Sequence, residues 1–183
     1  MSRIEVRIDF PPDGQRVWYY PGPTDVAVGK HGAAVRVTKS DGTKWYASFR
    51  SGTGAADCEI EFESEDASFM ILAGGAGYHV SCDDERNWRE LPLSPHIRIV
   101  HAIPQLRSLL LFDWIQAAAY GPLGEIWHTS RLFMDDLELV DASEEVIHLR
   151  GSVLGGQEMI TLNTKDGSIL NGRAFDWGNY ALR

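Results

Sequence analysis

The side chains best suited to recognition chemistry in this sequence are its aromatics. Trp18, Tyr19 and Tyr20 lie consecutively in a short extended stretch closed by Pro21-Gly22-Pro23. Alternate residues of a strand point to opposite faces, so at least one of these three rings must face solvent. Trp114, and Trp177 in the segment Trp177-Gly178-Asn179-Tyr180, add two further rings with a polar tip. An exposed Trp or Tyr offers a flat apolar face beside a hydrogen-bonding group, as in sugar platforms and protein hot spots. Trp18, Tyr20, Trp114 and Trp177 are therefore the candidate binding residues. The competing reading is that the same rings fill the core of a helix-poor protein.

Catalytic and metal chemistry finds less support. The six histidines are His31, His79, His96, His101, His128 and His148, and none sits in a His-x-His or His-Glu-x-x-His arrangement. His79, His128 and His148 fall at comparable places along the sequence. A metal site would need His79 and His128 to meet Asp135 or Asp136; the plainer reading is three strand histidines, each satisfied separately. Asp135-Asp136 and Asp83-Asp84-Glu85 are carboxylate clusters at turn signals, where Asp is common because it bonds its own backbone. There is no Gly-x-Ser-x-Gly. The glycines at 52 and 54 and the run Gly74-Gly75-Ala76-Gly77 lack the Lys-Ser/Thr of a phosphate loop, and Gly77 leads into the strand-like Tyr78-His79-Val80, which predicts a hairpin. No catalytic residue, metal or cofactor is expected.

The elements that must position these residues are strands. Ile4, Val6, Ile8 and Phe10 alternate with Glu5, Arg7 and Asp9, and Val35 and Val37 with Arg36 and Thr38. Asp41-Gly42 is a strong hairpin signal. Asp83 to Leu91 suggests a helical turn with Asp83 as its cap. Trp114 to Tyr120 contains three alanines that favour a helix, but Gly121-Pro122-Leu123-Gly124 closes it like a hairpin end, so a strand is expected. Four segments then align: AAVRVTKSDGTKW, AGYHVSCDDERNW, IQAAAYGPLGEIW and EMITLNTKDGSIL, ending at 45, 88, 127 and 170. Their spacing of about 40 residues is that of stacked four-strand units. The expectation is an all-β fold of antiparallel hairpin units, propeller-like or a sandwich or barrel. It is read as one domain over 1–183, with blade-like units near 57–91, 97–130 and 136–172. The weakest links are 51–56 and 92–95.

Ile160 to Leu170 and Ala117 to Thr129 resemble blade strands of the quinoprotein-like β-propellers, which repeat a polar turn with Gly just before a Trp. Here Gly124 and Trp127 are three residues apart, one segment ends in Leu170, and the turn at Asp84-Glu85 has no glycine. Residues 57–172, with a Leu-rich strand, a Tyr-Gly-Pro turn and a Trp, are also similar to an uncharacterised bacterial all-β family. The resemblance implies blade-like repeats and no particular activity. In propellers terminal strands often close the ring, and Arg173 to Arg183 is a candidate to pair with the N-terminal strand.

Composition bounds the partners. A net charge of −9 over 183 residues, with no Lys/Arg run, disfavours nucleic acid and anionic membranes and permits a basic protein partner. The opening MSRIEVRIDF has no apolar signal core and no stretch of 18 apolar residues occurs, so the expected location is the cytoplasm. Cys58 and Cys82 are then expected as buried thiols. The expected function is a non-catalytic interaction protein recognising another protein, for example in an immunity-type role. The alternatives are a carbohydrate-binding module and a hydrolase with a His/Asp site in a central cleft.

Overall fold

A computed structural model describes residues 15–20, 32–54 and 67–176, and the backbone of 3–7. The described residues are all-β: fifteen strands and one short 3-10 turn, Pro104–Leu106, with no α-helix. The protein divides into two compact units, residues 1–97 and 98–183. The division falls just after the Pro92 to Pro95 stretch. Cys58, His31, Trp177 and the N-terminal part of the unit expected near 57–91 lie outside the described residues, as does most of the expected closing strand.

The first unit holds two sheets. In sheet I, β1 (Arg3–Arg7), β2 (Val17–Tyr20), β3 (Ala34–Thr38) and β4 (Lys44–Phe49) lie in the order β1-β3-β4-β2. Sheet II is β5 (Ser68–Ala73), β6 (Ala76–Ser81) and β7 (Trp88–Glu90). All ladders are antiparallel except that β2 runs parallel to β4. Alternation decides what goes inside. Val35 and Val37 of β3 and Trp45, Ala47 and Phe49 of β4 are buried with Phe69, Ile71, Tyr78 and Val80 in one cluster. The helical turn expected over Asp83 to Leu91 is not formed. Asp84 Oδ1 accepts the Arg86 amide at 3.0 Å, a local turn bond that competes with helix. The backbone then enters β7, where Trp88, Arg89 and Glu90 pair with Val80, His79 and Tyr78.

The second unit is two four-stranded meanders. Sheet III runs β8 (Ile99–Ile103), β9 (Ser108–Phe112), β10 (Ala117–Gly121), β11 (Gly124–His128), and sheet IV runs β12 (Asp135–Ala142), β13 (Val146–Val153), β14 (Gly156–Asn163), β15 (Ile169–Asn171). The three alanines form strand β10, and every residue of β9 and β10 is buried. That explains why both read as continuous apolar runs rather than alternating ones. Leu110, Phe112, Ala117, Ala119 and Trp127 of sheet III share one cluster with Leu137, Ile147, Leu149, Ile160 and Leu162 of sheet IV. Gly151 on β13 is needed for this closeness: a Cβ there would sit 2.3 Å from the Phe133 ring.

All four aligned segments are hairpins: β3–β4, β6–β7, β10–β11 and β14–β15. Trp45, Trp88 and Trp127 stand on the return strands opposite Val37, Val80 and Ala119, in each case the residue eight positions earlier.

Candidate functional site

Trp114 sits at the connection between β9 and β10. Asp113 is buried, and its Oδ1 accepts the amides of Ile115 at 2.7 Å and Gln116 at 2.6 Å, which folds the connection into a tight turn capped by a carboxylate. The Trp114 carbonyl accepts the Leu137 amide at 3.0 Å, while the residue as a whole remains 45% exposed. Arg98 enters from just before β8, anchored by its amide to the Phe112 carbonyl at 2.8 Å. Its guanidinium carbon lies 3.4 Å from the Trp114 ring centroid. One terminal nitrogen of Arg98 is buried without a hydrogen-bond acceptor, and the electron-rich indole face stands in for one. The result is a surface pair, half apolar ring and half cation, held in place before any ligand arrives.

The Trp18-Tyr19-Tyr20 triplet is divided by strand alternation and packing. Tyr19 is the ring in water, 43% exposed. Tyr20, expected as a binding residue, is a core residue at 4% exposure. Its register partner across the β2–β4 ladder is Phe49, on which it stacks at 4.7 Å with Trp88 edge-on at 5.1 Å. Its hydroxyl donates to the Glu85 carbonyl. Burial, then the Glu85 and Asp84 charges, push its phenol well above the ordinary range. Trp18 is half-buried against the same cluster, with the Arg16 guanidinium 4.1 Å from its ring centroid and that of Arg86 at 6.0 Å.

Four of the histidines are engaged separately. His79 Nε2 lies 2.6 Å from Ser68 Oγ, and an Arg89 terminal nitrogen lies 3.1 Å from Nδ1. A guanidinium has only donors, so Nδ1 accepts and the Nε2 proton is given to Ser68. That is the reverse of a nucleophile pair, in which the ring must take the serine proton. His96 meets Thr53 at 2.7 Å, His148 meets Thr161 at 3.1 Å, and exposed His128 meets Glu125 at 2.9 Å. Among the described residues no three His, Cys, Asp or Glu gather as metal ligands. Asp135 and Asp136 are exposed on an irregular start of β12, with Asp136 at φ 55° and its amide bonded to Asp135 Oδ1.

The acidic run after β6 joins sheet II to sheet I. Asp83 accepts the amide and hydroxyl of Ser40 at 2.9 and 3.0 Å, and Glu85 accepts Lys39 Nζ at 3.0 Å. The backbone amide of Glu85 itself, then Lys39, hold its carboxyl below the usual range against the opposing effect of partial burial. The glycines at 52, 54 and 75 serve close backbone packing. A Cβ on Gly54 would lie 2.2 Å from the Ile97 carbonyl, and one on Gly75 would lie 2.5 Å from the Gly54 Cα. Thr53 donates its amide to the Pro95 carbonyl at 3.0 Å across this contact.

Two features escape a reading of the sequence. Arg98, sixteen positions before Trp114, carries no motif that would pair them. The other is a repeated clasp. Trp45 Nε1 donates to the Cys82 carbonyl and Trp127 Nε1 to the Thr164 carbonyl, both at 2.9 Å, both buried, and both across 37 residues to the next sheet of the same unit. The Trp placed after a turn in each of these hairpins was the signal that could have pointed to it. The turns correspond as well. Asp41, Asp84 and Asp166 each accept the amide two residues on, and each lies four positions before a segment end at 45, 88 or 170.

No helix among the described residues is long and apolar enough to cross a membrane. Compared with known proteins, the sequence matches no family model and no curated sequence.

Proposed function

We propose that this protein is a non-catalytic interaction module that recognises another protein. The observation that carries the reading is the Arg98–Trp114 pair: a half-exposed indole with a guanidinium stacked at 3.4 Å. Trp and Arg are the side chains that most often supply large binding energies at protein interfaces, and a preformed pair loses little rotamer freedom on docking. The same geometry disfavours a sugar platform, because a guanidinium covers one face of Trp114 and another lies close over Trp18. The His79 tautomer likewise disfavours a hydrolase built on Ser68 and His79. The net charge of −9 suits a basic partner whose own apolar or acidic group meets the Arg98–Trp114 pair locally. An immunity-type role in the cytoplasm is one concrete form of this reading, with neither nucleic acid nor membrane as partner.

The same reading takes the hairpin segments as repeats of one blade-like unit. Its support is the shared eight-residue facing of the tryptophans, the corresponding Asp turns and the two Trp clasps.

The test is direct binding to the proteins encoded beside its gene, by calorimetry with wild type and Trp114→Ala. One neighbour should bind wild type and lose about tenfold or more in affinity with the variant, which is about 1.4 kcal/mol. Binding that is unchanged by Trp114→Ala would overturn the assignment of the site, and a measured catalytic turnover would overturn the class.

A further inference from the structure

The geometry points to Asn171-Gly172, at the exposed end of β15, as a site of spontaneous succinimide formation in the folded protein. Three observations single it out. Asn171 is exposed on the last residue of an edge strand of sheet IV. The residue after it is glycine, so no bulky group hinders approach to the backbone nitrogen. That nitrogen is also uncommitted to the backbone: among the described residues the Gly172 amide makes no hydrogen bond to a backbone carbonyl and lies 3.0 Å from Asn171 Oδ1. The carboxamide of Asn171 is thus already folded over the nitrogen that must attack it, and no ladder bond has to break first.

Comparable positions are held shut. Asn163 precedes Thr164, whose amide donates to the Glu145 carbonyl at 3.0 Å. Asn87 precedes Trp88, which is bulky and paired in β7. The two Asp-Gly pairs within the described residues have their glycine amides tied down, Gly42 to the Lys39 carbonyl at 3.0 Å and Gly167 to the Asn163 carbonyl at 2.9 Å. Sequence alone already favours Asn171-Gly172, because a carboxamide loses ammonia more readily than a carboxylate loses water; the hydrogen bonds on Gly42 and Gly167 widen the difference.

In the reaction the Gly172 nitrogen attacks Cγ of Asn171. The new bond between them closes a succinimide ring, the bond from Cγ to Nδ2 breaks, and ammonia leaves with the Gly172 amide proton delivered through solvent. Water then opens the ring at either carbonyl to give an aspartyl or an isoaspartyl residue. Both products add a negative charge at the rim of sheet IV. The isoaspartyl form also lengthens the backbone by one carbon where Asn171 pairs with Thr161.

The full-length protein is incubated at mildly alkaline pH, native and in urea, then digested with trypsin. The peptide from Asp166 to Arg173 is followed by mass, since amide-to-acid conversion is visible while Asp isomerisation is not, and isoaspartate is counted with an isoaspartyl methyltransferase. The expected result is conversion of that peptide in the native protein at a rate within an order of magnitude of that in urea, with the Asn163 peptide unchanged and Asn171→Gln abolishing the signal. Native conversion slower than in urea by an order of magnitude or more would overturn the proposal, as would Asn163 converting as fast as Asn171.

Discussion

The indole of Trp127 donates its single N–H to the backbone carbonyl of Thr164 at 2.9 Å, and its ring lies against Gly167, where a Cβ would come within 2.6 Å. One residue on the last strand of sheet III thereby holds the β14–β15 turn of sheet IV. Thr164 extends the contact, its hydroxyl donating to the Ser143 carbonyl at 2.9 Å. Trp45 makes the corresponding bond to Cys82 in the first unit.

Trp127→Phe removes the donor together with part of the buried ring, leaving the Thr164 carbonyl unsatisfied. Leaving a buried acceptor unpaired costs about 1–3 kcal/mol. Trp45→Phe should cost a similar amount because its bond has the same length and burial. Urea denaturation of the two variants checks this; a loss at one position and none at the other would mean that the two clasps are not equivalent.

Gly151→Ala places a methyl against the Phe133 ring, where the available distance is 2.3 Å. Overpacking of this kind costs about 1–3 kcal/mol. Phe133→Leu, made on top of it, should recover part of that loss. A double-mutant cycle in urea measures the coupling, and additivity of the two substitutions would show that the ring and the methyl do not compete.

Tyr78 is buried, with its hydroxyl donating to the Arg50 carbonyl at 3.1 Å. Burial, reinforced by Glu90 and opposed by Arg50, pushes its phenol from 10.0 up to about 12. Because the folded value is raised, the fold favours the neutral phenol. The stabilisation is complete below pH 10 and is lost as pH rises from 10 towards 12. Ultraviolet titration of phenolate should show Tyr20 and Tyr78 both ionising late, with Tyr78→Phe removing one of the two, and the stability of that variant should depend less on pH across the same window.

Asp41 and Asp166 are exposed, yet both carboxyls are held below the usual 3.8, the first by the Thr43 hydroxyl and amide, the second by Ser168 in the same way. A lowered folded value means that each turn contributes stability above the ordinary Asp range and loses it as pH falls through the lowered value. Carbon NMR titration of the carboxyls should find both midpoints low, and Thr43→Val should move Asp41 back towards 3.8 while leaving Asp166 in place.

Much of the architecture was legible because it is local. Period-2 alternation at Val35 and Val37 and the Asp-Gly turn at 41–42 depend on neighbours a few residues apart, and together they became the hairpin β3–β4. Local signals failed where a distant partner decided. Asp83 to Leu91 looked like a helix start, but Val80, His79 and Tyr78 offered a ladder to its second half. The acidic run carries a turn signal, and Asp84 does bond its own turn, but Asp83 and Glu85 bond Ser40 and Lys39 of the β3–β4 turn, more than forty residues away.

The residue types and their alternation thus determined that sheets bury the apolar groups, where the hairpins turn, and that one ring of Trp18-Tyr19-Tyr20 must face water. Only the tertiary structure decided which one: Tyr20 turns inward because Phe49 lies beside it and the Glu85 carbonyl, 65 residues away, receives its hydroxyl. It also decided that Arg98 rests on Trp114. Alternation assigns residues to two faces, but which face is the core depends on what packs against it, and that is a property of contacts between residues far apart in the sequence.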